Sequence, residues 1–222
     1  MKAVITADII NSTKKSNDFL KKIIQSIHDE SNSLTKGDYQ VEALEFWRGD
    51  SFQMLIKNPE DGVYIAFRIK TAINRILDQI TETKRGQKII ADARISIGIG
   101  EAQGTTPITE SNEEAFILSG RGLENLKKEN KSLGIYTPWK EINNEFDTEC
   151  YLIQWISNKW SHASVSVIYE KLLGKTEREI ARLLNIKQSS VNERGESGCW
   201  SGIQKFINRY KEIIIQYHQK DN

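Results

Sequence analysis

The sequence has little of what marks secreted, zinc-bound or membrane proteins. Its 222 residues include two cysteines, Cys150 and Cys199, and three histidines. Two distant thiols make no disulfide framework, and so few histidines leave no zinc pattern. No apolar run approaches the roughly 18 residues that a membrane span needs. The segment Met1 to Asp8 meets an acid early and lacks a cleavage region, so it reads as no signal peptide. The expectation is a cytoplasmic protein with no membrane partner. There is also almost no net charge, +1, but it is unevenly spread. Lys171 to Asn222 carries ten Lys/Arg against six Asp/Glu, while the preceding part carries 21 against 24. A mildly basic tail on a mildly acidic body suits a nucleic-acid partner for the tail.

What is present describes an ordinary globular chain: 38% apolar and 27% charged residues, enough for one large domain or two modest ones. Val4 to Ile10 is a β-branched run that reads as a buried strand. Phe19, Leu20, Ile23, Ile24, Ile27 and Leu34 follow at helical spacing. Tyr39 to Trp47 and Ser51 to Ile56 form two strands around a tight turn at Arg48-Gly49-Asp50. Pro59 opens a long helix whose inner face carries Val63, Ala66, Phe67, Ile73, Ile76, Leu77 and Ile80. Ala91 to Gly100 reads as a central strand, Glu113 to Lys128 as a helix, and Leu133 to Tyr136 as a closing strand. Gly120 and Gly122 inside that helix mark either a close approach to the sheet or a ligand, or a break. The order βαββαβ, then α and β, predicts an α+β protein with a ferredoxin-like sheet covered by helices on one face. After Pro138 strand signals cease. Residues 1–140 are expected to form this domain and residues 141–222 an all-α one.

The segment Thr176 to Val191 carries several independent helix signals. Thr176 and Glu179 make a capping box. Ala181 is small where two helices must cross, and Asn185 suits a left-handed turn. Val191 anchors a second helix, with Ile180, Leu184 and Ile186 between the two. This spacing matches a DNA-binding helix-turn-helix over about residues 176–198. The second helix would present Lys187, Gln188, Ser189, Ser190, Asn192 and Arg194 to phosphates and base edges. Glu193 and Glu196 on the same helix oppose it, and a helical hairpin for protein contacts is the plainer alternative.

Two acids draw attention by position: Asp8 at the end of the first strand and Asp50 in the hairpin turn. Both can converge at one edge of the sheet as ligands of Mg²⁺ or Mn²⁺. Asn11, Ser12 and Thr13 suit the start of a helix that offers amides to a phosphate. Arg48, Arg94 and Arg121 are candidate counter-charges.

The segments Ala7 to Thr13, Gly49 to Gln53 and Ala93 to Gly100 resemble successive motifs of the palm domain in class III nucleotide cyclases, whose relatives include the GGDEF domains. That resemblance implies metal binding at Asp8 and Asp50. Ala115 to Leu123 resembles the cyclase segment that contributes an asparagine and an arginine to the transition state. Arg121 matches the arginine and becomes the catalytic candidate, while Ile117 stands in the asparagine's place, against ordinary cyclase chemistry. Phe46 stands at the base-selecting position and specifies no purine. The whole order, an opening strand ending in Asp, Gly-Asp-x-Phe-Gln, Arg-x-x-x-Gly-x-Gly and a terminal helix-turn-helix, is similar to the bacterial SatD family. That family is described as regulatory and has no established reaction. The resemblance implies a DNA-binding transcriptional regulator whose palm binds a nucleotide or a divalent metal. The alternatives are a nucleotidyl cyclase or small nucleotide polymerase, and a scaffold for protein contacts. Cyclase sites form across dimers and helix-turn-helix proteins read paired half-sites, so a homodimer is implied as well.

Overall fold

Strand β1 (Lys2–Ile9) is buried along all its length except Lys2, as its continuous apolar run requires of a strand covered on both faces. It pairs antiparallel with β3 (Ser51–Ile56) on one side and β4 (Ala93–Gly100) on the other. Strand β2 (Val41–Trp47) extends the sheet past β3, and β5 (Leu133–Tyr136) runs parallel to β4, giving the order β2-β3-β1-β4-β5. This architecture is that of a computed structural model, which describes residues 1–47, 49–77, 91–103 and 107–220. Among the described residues the chain is a mixed α/β protein with one five-stranded sheet and eight helices. The helices are α1 (Asn17–Lys36), α2 (Gly62–Asn74), α3 (Glu114–Glu129), α4 (Lys140–Ser157), α5 (His162–Leu172), α6 (Glu177–Leu183), α7 (Gln188–Ser197) and α8 (Trp200–Lys220).

The two-residue period of the strands sorts their side chains onto two unlike faces. Ala3, Ile5 and Ala7 of β1 join Phe52, Met54, Ile95 and Ile97 on one face, which packs on α1 and α2. The other face carries Thr6, Asp8, Gln53 and Ser96 in register, and α3 lies over it. The expectation of helices on one face is therefore corrected: α3 sits opposite α1 and α2. Small residues make this possible. A Cβ at Gly98 would stand 2.3 Å from the Ala115 carbonyl, and one at Gly122 would stand 2.3 Å from Ser96 Oγ. Polar side chains beneath the helix pair with each other, Thr6 Oγ1 with Ser119 Oγ at 2.7 Å and Gln53 Nε2 to Thr6 Oγ1 at 3.1 Å. Helix α3 runs unbroken through both glycines, so close approach accounts for Gly122. Nothing in the structure requires Gly120.

Two expected boundaries move. Pro59–Asp61 is a 3-10 turn, and α2 ends at Asn74, so Ile76 and Leu77 fall beyond the helix and Leu77 is exposed. Ile80 lies outside the described residues. The change of character near residue 140 also does not interrupt the core. Ile142 and Phe146 of α4, Ile168 of α5 and Phe206 and Tyr210 of α8 belong to the same apolar cluster as Ile5 and Ile97. The fully buried Tyr210 donates from its hydroxyl to the Pro59 carbonyl at 2.6 Å, which seats α8 against the start of α2.

The two helical glycines give opposite expectations. Gly122→Ala drives a methyl into the Tyr136 ring and Ser96 and should cost about 1–3 kcal/mol. Gly120→Ala meets nothing within 4 Å and should gain up to about 1 kcal/mol. Urea midpoints of the two variants check the pair.

Candidate functional site

Asp8 and Asp50 do reach the same end of the sheet. Asp8 stands opposite Ser51 in the β1–β3 register, and the Ile9 amide donates to the Asp50 carbonyl at 2.9 Å. Their carboxylates, however, serve different partners. Arg94 Nη1 lies 3.0 and 3.2 Å from the two Asp8 oxygens, and Lys127 Nζ of α3 lies 2.9 Å from Oδ2. Arg94 also donates from Nε to the Lys131 carbonyl at 3.0 Å. Asp50 instead accepts from the Ser12 hydroxyl at 2.6 Å and from the Ser51 hydroxyl at 3.3 Å.

This arrangement does not fit the expected pair of metal-ligating carboxylates. With a guanidinium and an ammonium already beside it, the Asp8 carboxylate sits in a cluster of net positive charge, which opposes a further divalent cation. Among the described residues no group of three or more His, Cys, Asp or Glu is placed to hold a metal ion. Arg94, expected as a counter-charge for nucleotide, is the counter-charge of Asp8. Arg121 lies exposed on α3, one position from the helix's sheet-facing Gly122, and Arg48 lies outside the described residues.

The loop after β1 also departs from expectation. Asn11 adopts the left-handed conformation at φ 57°, and Ser12–Lys14 form a separate 3-10 turn. Helix α1 begins later, at Asn17, where the Ser16 hydroxyl caps it by accepting from the Phe19 amide at 3.2 Å. Asn11, Ser12 and Thr13 therefore do not open α1. Ser12, Thr13, Gly49 and Asp50 instead line an open cavity of about 470 Å³, together with Lys15, Leu20, Lys21 and Ile24. The sequence motifs did not single out the two lysines or the two apolar residues as part of a site. Leu20 and Ile24 stand beside Phe19 and Ile23, a doubled stripe of which only the second pair is fully buried. A stripe wider than the core needs was the available signal.

At the other end of the chain, α6 starts with both halves of the capping box. Thr176 Oγ1 accepts from the Glu179 amide at 3.3 Å, and Glu179 Oε2 accepts from the Thr176 amide at 2.8 Å. Bonds from the Thr176 hydroxyl and amide hold the Glu179 carboxyl below its usual range. Asn185 then turns the chain at φ 52°. Ile180, Val191 and Val167 of α5 form a small buried cluster with Ala181, Leu184 and Ile186 around it. Helix α7 buries only Val191 and Gly195. Its remaining length faces outward: Lys187, Gln188, Ser189 and Asn192 are exposed, and Ser190 and Arg194 are half-buried. Asn192 donates to Glu196 at 3.1 Å. The buried Trp160 indole donates to the Gly198 carbonyl at 2.9 Å and fixes the far end of α7.

Replacing Asp8 by Asn keeps its shape but leaves Arg94 and Lys127 without a counter-charge. The loss should be about 1.5–3 kcal/mol, the worth of hydrogen bonds to a charged group. A lowered urea midpoint is the expected result, and Lys127→Gln should cost less in the Asp8→Asn background than in the wild type.

No protein-family model matches the chain, and no curated protein matches it, so the function of these sites rests on their own residues.

Proposed function

We propose that the chain is a DNA-binding transcriptional regulator, as its resemblance to the SatD family implies. The observation that carries this reading is the pairing of α6 and α7 across a left-handed Asn185, with α7 exposed along its polar side. In this reading α5, α6 and α7 are a helix-turn-helix unit, and α7 enters the major groove. Gln188 and Asn192 supply the amides that pair with adenine, and Lys187 and Arg194 supply charge to phosphate. Glu193 and Glu196 confine α7 to orientations that keep them off the backbone. The strand order β2-β3-β1-β4, with α1 and α2 on one face, supports a ferredoxin-like palm for the front of the molecule.

A second observation favours nucleotide binding by that palm. The cavity beside Asp50 combines hydroxyls from Ser12 and Thr13, the cations Lys15 and Lys21, and the apolar Leu20 and Ile24. Phosphate suits the lysines and hydroxyls, a base suits the apolar wall, and Asp50 accepts from a ribose hydroxyl or base amino group. Turnover has less to rest on, since Ile117 replaces the cyclase asparagine and Arg121 points away from the sheet into solvent.

Gel retention of DNA fragments from around its own gene, across a salt series, tests the first part. Binding should weaken steeply with salt. Gln188→Ala and Asn192→Ala should each narrow the gap between specific and random DNA by about 1–3 kcal/mol. A flat salt response, or no retention at low salt, would remove the regulator reading. For the palm, titration calorimetry with ATP and GTP, with and without Mg²⁺, should show saturable binding. Asp50→Ala should weaken it about tenfold, the worth of one charge-assisted hydrogen bond, and no pyrophosphate should be released above that of this variant.

A further inference from the structure

Helix α4 is apolar on two sides. Its inner side, Ile142, Phe146, Cys150 and Ile153, is buried in the core. Its outer side carries Tyr151, Leu152 and Trp155, exposed at 57%, 56% and 57%. Of the five large hydrophobic residues exposed among the described ones, these three share little more than one helical turn. An exposed apolar stripe rimmed by polar residues marks a surface that a partner covers, and clustered Trp and Tyr are the side chains that anchor interfaces.

The charges on α4 say what covers it. Glu141, Glu145 and Glu149 precede Leu152 at four-residue spacing, and Lys159 follows the helix's end, with its Nζ 3.1 Å from the centre of the Trp155 ring. The carboxyl of Glu149 is raised by burial and then by the nearby Glu145, and one of its oxygens is buried without a hydrogen bond. Arg209 of α8 is within 3.3 Å of Glu145. The face thus runs from acidic to apolar to basic, a pattern complementary to itself when reversed. We propose that α4 pairs antiparallel with α4 of a second copy about a twofold axis at Leu152. Lys159, seven residues past that axis, then faces Glu145, seven residues before it on the other copy. Trp155, three residues past the axis, lies over Glu149 of the other copy, and Leu152 closes on its counterpart. Such an isologous contact is closed and makes a dimer rather than a fibre. Four aromatic rings, two from each copy, burying at most ~150–250 Å² each still leave it below the roughly 1,600 Å² of stable complexes. The dimer is therefore weak and depends on micromolar concentration.

Sedimentation equilibrium on the full chain, across the micromolar range, tests the pairing. The wild type should pass from monomer to dimer with rising concentration, and Trp155→Glu should remain monomeric with an unchanged circular dichroism spectrum. Lys159→Glu should weaken dimerisation about tenfold, and adding Glu145→Lys should restore it, the opposite charges having changed places. A wild type that stays monomeric throughout, or a Trp155→Glu variant that still dimerises, would overturn the proposal. So would a double variant no stronger than Lys159→Glu alone.

Discussion

A buried ion pair holds the helix that carries the α6–α7 unit onto the sheet. Glu30 of α1 and Arg68 of α2 are each 4% exposed and ion-paired to one another. Isolating either charge from water would cost several kcal/mol, and bonds to neighbouring tyrosine hydroxyls offset part of this while Arg68 Nε stays buried without a hydrogen bond among the described residues. Arg68 Nη1 donates to the Tyr64 hydroxyl at 3.0 Å, and that hydroxyl donates to the Leu172 carbonyl at the end of α5 at 2.9 Å. Tyr169 of α5 donates to Glu30 Oε2 at 2.7 Å. Arg75 stacks over the Tyr169 ring at 4.0 Å and lies 3.4 Å from Glu170, which Lys175 also engages at 2.5 Å. An apolar contact would let α5 slide along α2. These directional bonds fix its position, and α5 is the helix against which α6 and α7 pack.

The two faces of the sheet divide the structural tasks. Its apolar face forms a core continuous with α4, α5 and α8. Its other face trades packing volume for polar contacts, since Gly98, Gly122 and Ser119 bring α3 close enough for Thr6, Gln53 and Ser96 to sit beneath it. Asp8 belongs to this face. Its bonds to Arg94 and Lys127 tie β1, β4 and α3 together at the end of the sheet nearest the cavity. Asp8, which resembles a metal ligand by motif, is bonded here to Arg94 and Lys127, while Asp50, which accepts from the Ser12 and Ser51 hydroxyls, lines the cavity.

Local signals carried far in this sequence, and long-range ones did not. The strand Leu133–Tyr136, the hairpin at Gly49-Asp50, the Thr176 capping box and the left-handed Asn185 are each decided within a few residues. The face on which α3 lands is decided by Gly98 and Ser96, some twenty residues before it, and no periodicity records that. The partner of Asp8, Lys127, is far along the chain and looks like any surface lysine of a helix's last turn. The loop at Asn11 to Thr13 was misplaced for a subtler reason. Its residues suit a helix start, but Ser16 competes for the same role and caps α1 with a better-placed hydroxyl.

Helix α1 connects the two sites that the proposed function requires. Leu20, Lys21 and Ile24 near its start line the cavity, and Glu30 further on makes the ion pair to Arg68 and accepts from Tyr169. Ten residues of helix separate Leu20 from Glu30, a rigid span of ~15 Å at 1.5 Å per residue. Contact alone does not make a switch. A nucleotide that binds equally well to two positions of α1 shifts nothing, however tightly it is held. Coupling therefore requires that the ligand prefer one position, and the proposed function asks this of the cavity. Its walls come from α1 on one side and from the hairpin turn at Gly49-Asp50 on the other. A ligand that spans both sets the distance between them, and Glu30 carries any displacement of α1 directly to α5.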